Sequence, residues 1–178
     1  MIRTLLTSIA ILVSGYAVAQ DVFVDEGACP GEGCVYGERW VARKSLQLYS
    51  DPSSTAAVSG EVLEGEAVQT VSGEVHTVPG RFIIYRTHGE FVPGDEVLLY
   101  TYLGEGWFRL LHNGQLKVAD LGTSPWNRVL GERCEEEPNC WGSLQNKLVF
   151  HWWVKLQTTE GLEGWVLDTP AFDKPVDH

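Results

Sequence analysis

The chain is poor in basic residues. It has 13 Lys and Arg against 24 Asp and Glu in 178 residues, which gives a formal net charge of −11 at pH 7. A surplus of this size repels phosphate backbones and anionic lipid head groups, and no Lys/Arg cluster overrides it. The composition therefore argues against nucleic-acid binding and against docking on an acidic membrane. It is compatible with a basic protein partner, or simply with solubility.

Long apolar runs are also lacking, apart from an interrupted one near the N-terminus. Arg3 supplies one positive charge, and the apolar stretch at residues 5–18 is broken by polar residues and a glycine. This run is too short to cross ~30 Å of hydrocarbon. Ala17 and Ala19 are small residues of the kind that signal peptidase recognises, so the pattern predicts a secretory signal peptide at residues 1–19, cleaved before Gln20.

We therefore expect a periplasmic or secreted protein of about 159 residues, with no stable membrane insertion after signal cleavage. Because only Arg3 is lost with the signal among charged residues, the mature chain has a net charge of about −12. No cysteine directly follows the cleavage site, and lipid attachment there is not expected.

Cysteine is scarce, and its four copies form two local pairs, Cys29 with Cys34 and Cys134 with Cys140. An exported chain meets an oxidising compartment, where such pairs usually become disulfides. Three connectivities are possible. We favour the one with two local disulfides, Cys29–Cys34 and Cys134–Cys140, each of which should stabilise the fold by only about 2 kcal/mol because the closed loop is short.

Two other uses of the cysteines are less favoured. A four-cysteine zinc site usually has two residues between ligands, whereas the intervals here hold four and five. A catalytic cysteine needs a free thiolate beside a histidine, and the even count leaves no spare nucleophile. We therefore predict no metal and no cofactor.

Helical periodicity is almost absent, and short segments rich in Trp and β-branched residues alternate with turn signals. The richest segment, residues 152–166, is predicted to form a hairpin that turns near Gly161. A second hairpin is predicted at residues 106–118, where Asn113-Gly114 suits a type I′ turn. Further strands are predicted at residues 40–43, 46–49, 58–63, 67–71 and 97–103, and a hairpin is expected to open at Gly73 and return along residues 81–86. Short strands at this spacing indicate an all-β barrel or sandwich.

Two parts of the chain resemble bacterial SH3-like domains. The first is a strand with its loop at residues 45–53, followed by a strand, a Gly turn and another strand at residues 62–71. The second runs from Trp153 to the closing Gly164-Trp165-Val166. The resemblance covers residues 40–72 and 150–168, and residues 92–120 more loosely. It implies one or more SH3-like barrels.

Two arrangements fit this resemblance. One is a single barrel with a large insertion at residues 73–146, and the other is a pair of packed SH3-like subdomains, which we favour slightly. The corresponding division has four parts after the signal peptide: an N-terminal segment with the first cysteine pair at residues 20–39, a first subdomain at 40–91, a second at 92–168 that includes a cysteine-clipped loop at 122–146, and a tail at 169–178.

The resemblance implies a non-catalytic module that contacts an envelope protein, a peptide or peptidoglycan.

Strict alternation along residues 149–157 places Phe150, Trp152, Val154 and Leu156 on one face, which we expect to be core, and Trp153 and Lys155 on the other. Trp153, Lys155, Trp165 and Trp107 are therefore the ligand-binding candidates. Trp153 leads the candidates for an exposed aromatic, followed by Trp165 and then Trp107, although each large aromatic is expected to be mainly structural. His76 and His112 are predicted to lie at turns without a carboxylate partner, and no chemistry is assigned to them.

Two other functions remain open. One is a cell-wall hydrolase or the accessory domain of one, which requires a free cysteine or a metal cluster of His and Asp. The other is an acidic inhibitor of a basic secreted enzyme, which only the negative charge suggests. We predict that the protein is not an enzyme.

Overall fold

The computed structural model describes residues 22–31, 35–122, 141–167 and 171–174. This part of the chain contains strands and no helix, so the all-β prediction is confirmed, and it has no helix long and apolar enough to cross a membrane. The strands are β1 (Phe23–Glu26), β2 (Arg39–Ala42), β3 (Leu46–Tyr49), β4 (Val58–Val62), β5 (Ala67–Val78), β6 (Gly80–Ile84), β7 (Glu96–Gly104), β8 (Trp107–His112), β9 (Gln115–Asp120), β10 (Gly142–Leu144), β11 (Val149–Thr158), β12 (Glu163–Leu167) and β13 (Phe172–Asp173).

The strands form two sheets. In the first, the order is β13-β2-β5-β11-β12-β3-β4, and β1 pairs with the second half of β5. In the second, the order is β10-β6-β7-β8-β9. The first sheet is curled like a half-barrel, and the whole fold is compatible with SH3-like barrels.

The predicted closing hairpin belongs to the first sheet. Strand β11 pairs with β5 along its whole length, and β12 pairs with β3, although all of the second sheet lies between β5 and β11 in sequence. The first sheet is thus interrupted by a long insertion that contains the second sheet. The predicted domain boundary between residues 91 and 92 does not coincide with the division between sheets, because β6 and β7 on either side of it pair with each other.

Several predictions fall outside the described residues. These are the signal peptide at residues 1–19, Cys34, Cys134 and Cys140, most of the loop at 122–146, and all of the tail except residues 171–174. The pairings of Cys29 with Cys34 and of Cys134 with Cys140 therefore stay predictions.

Gly73 lies in the middle of β5, and the hairpin predicted to open there is wrong. The strand continues to Val78, and the chain then passes at Pro79 into β6, which belongs to the other sheet. Glycine is required at this position by close packing: a Cβ would lie 2.7 Å from Trp152 Nε1 and would overlap the Tyr36 hydroxyl. Gly73 is therefore a position where side chains from other parts of the chain approach the backbone closely, and not the turn that the sequence pattern predicts.

The turn at Asn113-Gly114 is confirmed. His112 and Gln115 face each other as the last pair of β8 and β9, and Asn113 and Gly114 have φ angles of 50° and 74°. Two positive φ angles in a two-residue loop are what a type I′ hairpin requires.

Each sheet has its own hydrophobic core. The inward side chains of the first sheet, including Trp40, Leu48, Val154, Leu156 and Val166, form one cluster. A second cluster, built on Phe82, Phe91, Phe108 and Leu110, fills the other sheet. The outward side chains of β11 and β12, among them Lys155 and Trp165, belong to neither cluster.

Candidate binding face

The outer face of the first sheet contains two of the predicted ligand-binding residues as direct neighbours. Lys155 on β11 faces Trp165 on β12, which in turn faces Tyr49 on β3. Residues that face each other across strands lie about 5 Å apart at Cβ and project from the same side of a sheet. We call this row Tyr49–Trp165–Lys155 the outer-face row.

Trp165 is half-buried within this row, and Lys155 is held beside it by an ion pair. Lys155 Nζ lies 2.6 Å from Glu163 Oε2, and both side chains remain partly exposed to solvent. A pair of this kind contributes little to stability, since water screens it. Its effect is to restrain the ammonium group on the same face as the indole.

Trp153 lies on the predicted face but is buried, so its choice as the leading candidate for an exposed aromatic is wrong. Only 6% of its surface is accessible, and it belongs to neither core cluster. Its ring packs edge-on against Tyr49, with ring centroids 6.0 Å apart, and Leu167 and Glu74 face it from the two neighbouring strands. Alternation fixes the side of a strand that a residue occupies, but the large neighbours on that side decide its exposure.

Trp107 is exposed, with 46% of its surface accessible, but it lies elsewhere. It begins β8 in the second sheet, where its strand partners are Gly104 and Asp120. The structure therefore brings Trp153, Lys155 and Trp165 together in the first sheet, and it does not bring Trp107 into that row.

A groove of about 440 Å³ opens beside β2, β5 and β11. Its lining includes Arg39, Gln69 and Gln157, which face one another across the three strands. Gln157 and Lys155 are two residues apart in β11 and therefore lie on the same face. The sequence pattern did not predict this groove, because it depends on pairing between strands far apart in the chain.

The prediction that two histidines lie at turns without a carboxylate partner is wrong for the partner in both cases, and His76 lies within β5 and not at a turn. His76 Nε2 lies 2.9 Å from Glu74 Oε2, and His112 Nε2 lies 3.0 Å from Asp95 Oδ2. Glu74 and His76 are two residues apart in one strand, so their shared face could have been inferred from the sequence. The contact between Asp95 and His112 depends on the register of β7 against β8, which sequence alone does not supply.

Asp95 is the most restrained of these carboxylates. The backbone N–H of Val92 donates to Asp95 Oδ2 at 3.0 Å, and Lys117 Nζ lies 3.2 Å from His112 Nδ1. The pKa of Asp95 is lowered, first by the hydrogen bond from Val92 and then by His112 and Lys117. His112 is itself 7% exposed. These contacts attach the turn before β7 to the β8–β9 hairpin.

Within the described residues, no group of three or more His, Cys, Asp or Glu side chains is arranged to hold a metal ion. Comparison of the chain with protein-family models, curated proteins and solved structures gives no significant match. The function must therefore be inferred from the side chains of this chain itself.

Proposed function

We propose that the protein is an exported, non-catalytic SH3-like module that binds an envelope protein, a peptide or peptidoglycan. The observation that carries this proposal is the outer-face row, in which a half-buried Trp165 lies between Tyr49 and a tethered Lys155. Tryptophan and tyrosine supply large contact areas with a polar atom at one end, as binding surfaces require. The predicted signal peptide and the resemblance to SH3-like domains support the envelope as the compartment.

The row is suited to binding because its geometry is set before a ligand arrives. Tyr49 is supported from one side by the buried ring of Trp153, and Lys155 is restrained by Glu163. Side chains that are already ordered lose less conformational entropy on binding. Trp153 therefore supports Tyr49 from the side and, being buried, is not expected to contact the ligand over much of its surface.

The proposal is tested by comparing Trp165→Ala with Trp107→Ala, which removes an exposed tryptophan from the other sheet. Both variants and the unmodified mature protein are incubated with purified peptidoglycan and with arrayed peptides of envelope proteins. We expect Trp165→Ala to weaken binding at least about tenfold, as loss of a central aromatic contact does, while Trp107→Ala binds normally.

Circular dichroism and the unfolding temperature of each variant show whether it remains folded. Binding that is lost only in Trp107→Ala would place the site on the second sheet and contradict the proposal. Unchanged binding in both variants would contradict it as well.

A further inference from the structure

The groove beside β2, β5 and β11 has a composition unlike the rest of this acidic surface. Its lining residues are Gly37, Arg39, Ala67, Val68, Gln69, Gln157, Thr158 and Thr159, and none is an acid. Its volume of about 440 Å³ falls in the range of roughly 300–1,000 Å³ that small-molecule and peptide-end sites occupy. In a chain of net charge −11, this lining carries one positive charge and no negative one.

Arg39 supplies this positive charge. It has no ion-pair partner among the described residues, whereas Arg43, Arg81 and Arg109 each pair with a carboxylate. A guanidinium group presents parallel N–H donors that match the two oxygens of a carboxylate. Arg39 projects from the start of β2 into the groove, where a ligand carboxylate could supply the missing partner.

Gln69 and Gln157 add hydrogen-bond acceptors to the groove next to the Arg39 guanidinium group. Gln69 Nε2 donates to the Gly37 carbonyl at 3.4 Å, and Gln157 Nε2 donates to Glu163 Oε1 at 3.2 Å. With their N–H groups directed to the protein, the amide carbonyl oxygens can accept hydrogen bonds from a ligand. Backbone N–H groups of a peptide are donors of this kind.

We propose that the groove binds the free C-terminal carboxylate of a peptide, with Arg39 as the carboxylate partner and Gln69 and Gln157 as acceptors for the last peptide N–H groups. This inference rests on the proposed binding function and names the chemistry of its ligand.

The groove lies on the same face of the first sheet as the outer-face row, since Gln157 in its lining and Lys155 in the row are two residues apart in β11. Strands lie about 4.8 Å apart, so three strand spacings separate Arg39 on β2 from Trp165 on β12, roughly 15 Å in all. An extended peptide rises about 3.4 Å per residue and covers this span with four to five residues. A peptide whose last carboxylate lies at Arg39 therefore places a side chain four or five positions earlier over Trp165.

The test uses one set of five-residue peptides with acetylated N-termini, arrayed in two forms that differ only at the C-terminus, free acid and carboxamide. Binding of the mature protein is compared with that of Arg39→Gln. The matched control is Lys44→Gln, which also removes one positive charge near β2 but lies outside the groove lining. A third arm uses soluble peptidoglycan stem peptides, which also carry free carboxylates.

We expect amidation to lower affinity about tenfold or more, because hydrogen bonds to charged groups contribute about 1.5–3 kcal/mol. Arg39→Gln should lower binding of the free acids to the level of the amides and leave amide binding unchanged, and Lys44→Gln should behave like the unmodified protein. Preference for stem peptides over arrayed peptides identifies the cell wall as the source of the carboxylate, and the reverse preference identifies protein termini.

Equal binding of acids and amides, or an unchanged preference in Arg39→Gln, would overturn the inference. If that binding still depends on Trp165, the proposed module function stands without a carboxylate site. If neither peptide form nor any stem peptide binds, the carboxylate inference fails, and intact peptidoglycan then decides the proposed function separately.

Discussion

Arg109 donates from Nε to Asp25 Oδ2 at 2.7 Å and thereby joins the two sheets, since Asp25 lies in β1 and Arg109 in β8. The Thr101 hydroxyl donates to the same oxygen, also at 2.7 Å. The side chains of Asp25 and Arg109 are 9% and 34% exposed. A carboxylate that is largely removed from water and bound by two donors holds the short strand β1 against the insertion.

Removal of Asp25 should therefore destabilise the protein. Asp25→Ala leaves a partly buried guanidinium group and the Thr101 hydroxyl without their acceptor, and we expect a loss of about 2–3 kcal/mol in the free energy of unfolding. Urea unfolding followed by fluorescence measures it. The matched control is Asp173→Ala, which breaks the exposed ion pair with Arg43 and should cost less than about 1 kcal/mol. Equal losses in the two variants would show that burial of the Asp25 pair has no energetic consequence.

Gly73→Ala should be more disruptive than Gly60→Ala. At Gly73 a Cβ would lie 2.8 Å from the Trp153 carbonyl oxygen, in addition to its contacts with Trp152 and Tyr36. Overpacking against a rigid backbone costs about 1–3 kcal/mol.

Gly60→Ala provides the comparison, because the Cβ there meets only the end of the flexible Leu162 side chain. We expect a clear loss of unfolding free energy for Gly73→Ala and a small one for Gly60→Ala. Similar values for both would contradict the assignment of Gly73 as a packing position.

Export and disulfide formation can be tested on one preparation. Intact mass and N-terminal sequencing of protein recovered from the extracytoplasmic fraction should show cleavage before Gln20. Peptide mapping without reductant should link Cys29 to Cys34 and Cys134 to Cys140. Titration of the native protein should find no reactive thiol. A stoichiometric reactive thiol would instead favour the cysteine-hydrolase alternative, and retention of residues 1–19 would contradict the signal peptide.

Local pattern predicted part of this molecule well. The hairpin at residues 152–166 has the predicted turn region, and its register places Lys155 opposite Trp165. The alternation on β11 also assigns Trp152, Val154 and Leu156 to the inner face. Phe150, predicted to be core with them, is only partly buried and belongs to neither core cluster. These features depend on residues close in sequence, whose period and turn chemistry are visible in the chain itself.

The features that were missed depend on distant neighbours. The exposure of Trp153 is set by Tyr49, which lies more than a hundred positions earlier. The Arg39 groove exists only because β2, β5 and β11 are adjacent in the sheet. The local pattern predicts a turn at Gly73, because the close contact with Tyr36 that requires glycine there involves a residue distant in sequence.

The stability of the protein should fall in acid partly through Asp95. Because the folded state lowers the pKa of Asp95 below its ordinary value of 3.8, the carboxylate stabilises the fold above that value. This contribution is lost as the pH falls through the lowered pKa, where Asp95 takes up a proton in the folded state as well. Asp95→Asn keeps an oxygen that can accept from Val92 but removes the titration.

We therefore expect the stability difference between the unmodified protein and Asp95→Asn to be largest near neutral pH and to shrink between about pH 4 and pH 2. Urea unfolding across this range measures the difference, with Glu160→Gln, an exposed turn residue, as the control. The control should follow the unmodified protein throughout. A difference for Asp95→Asn that is the same at about pH 6 and pH 2 would mean that its carboxylate is no better bound in the folded chain than in the unfolded one.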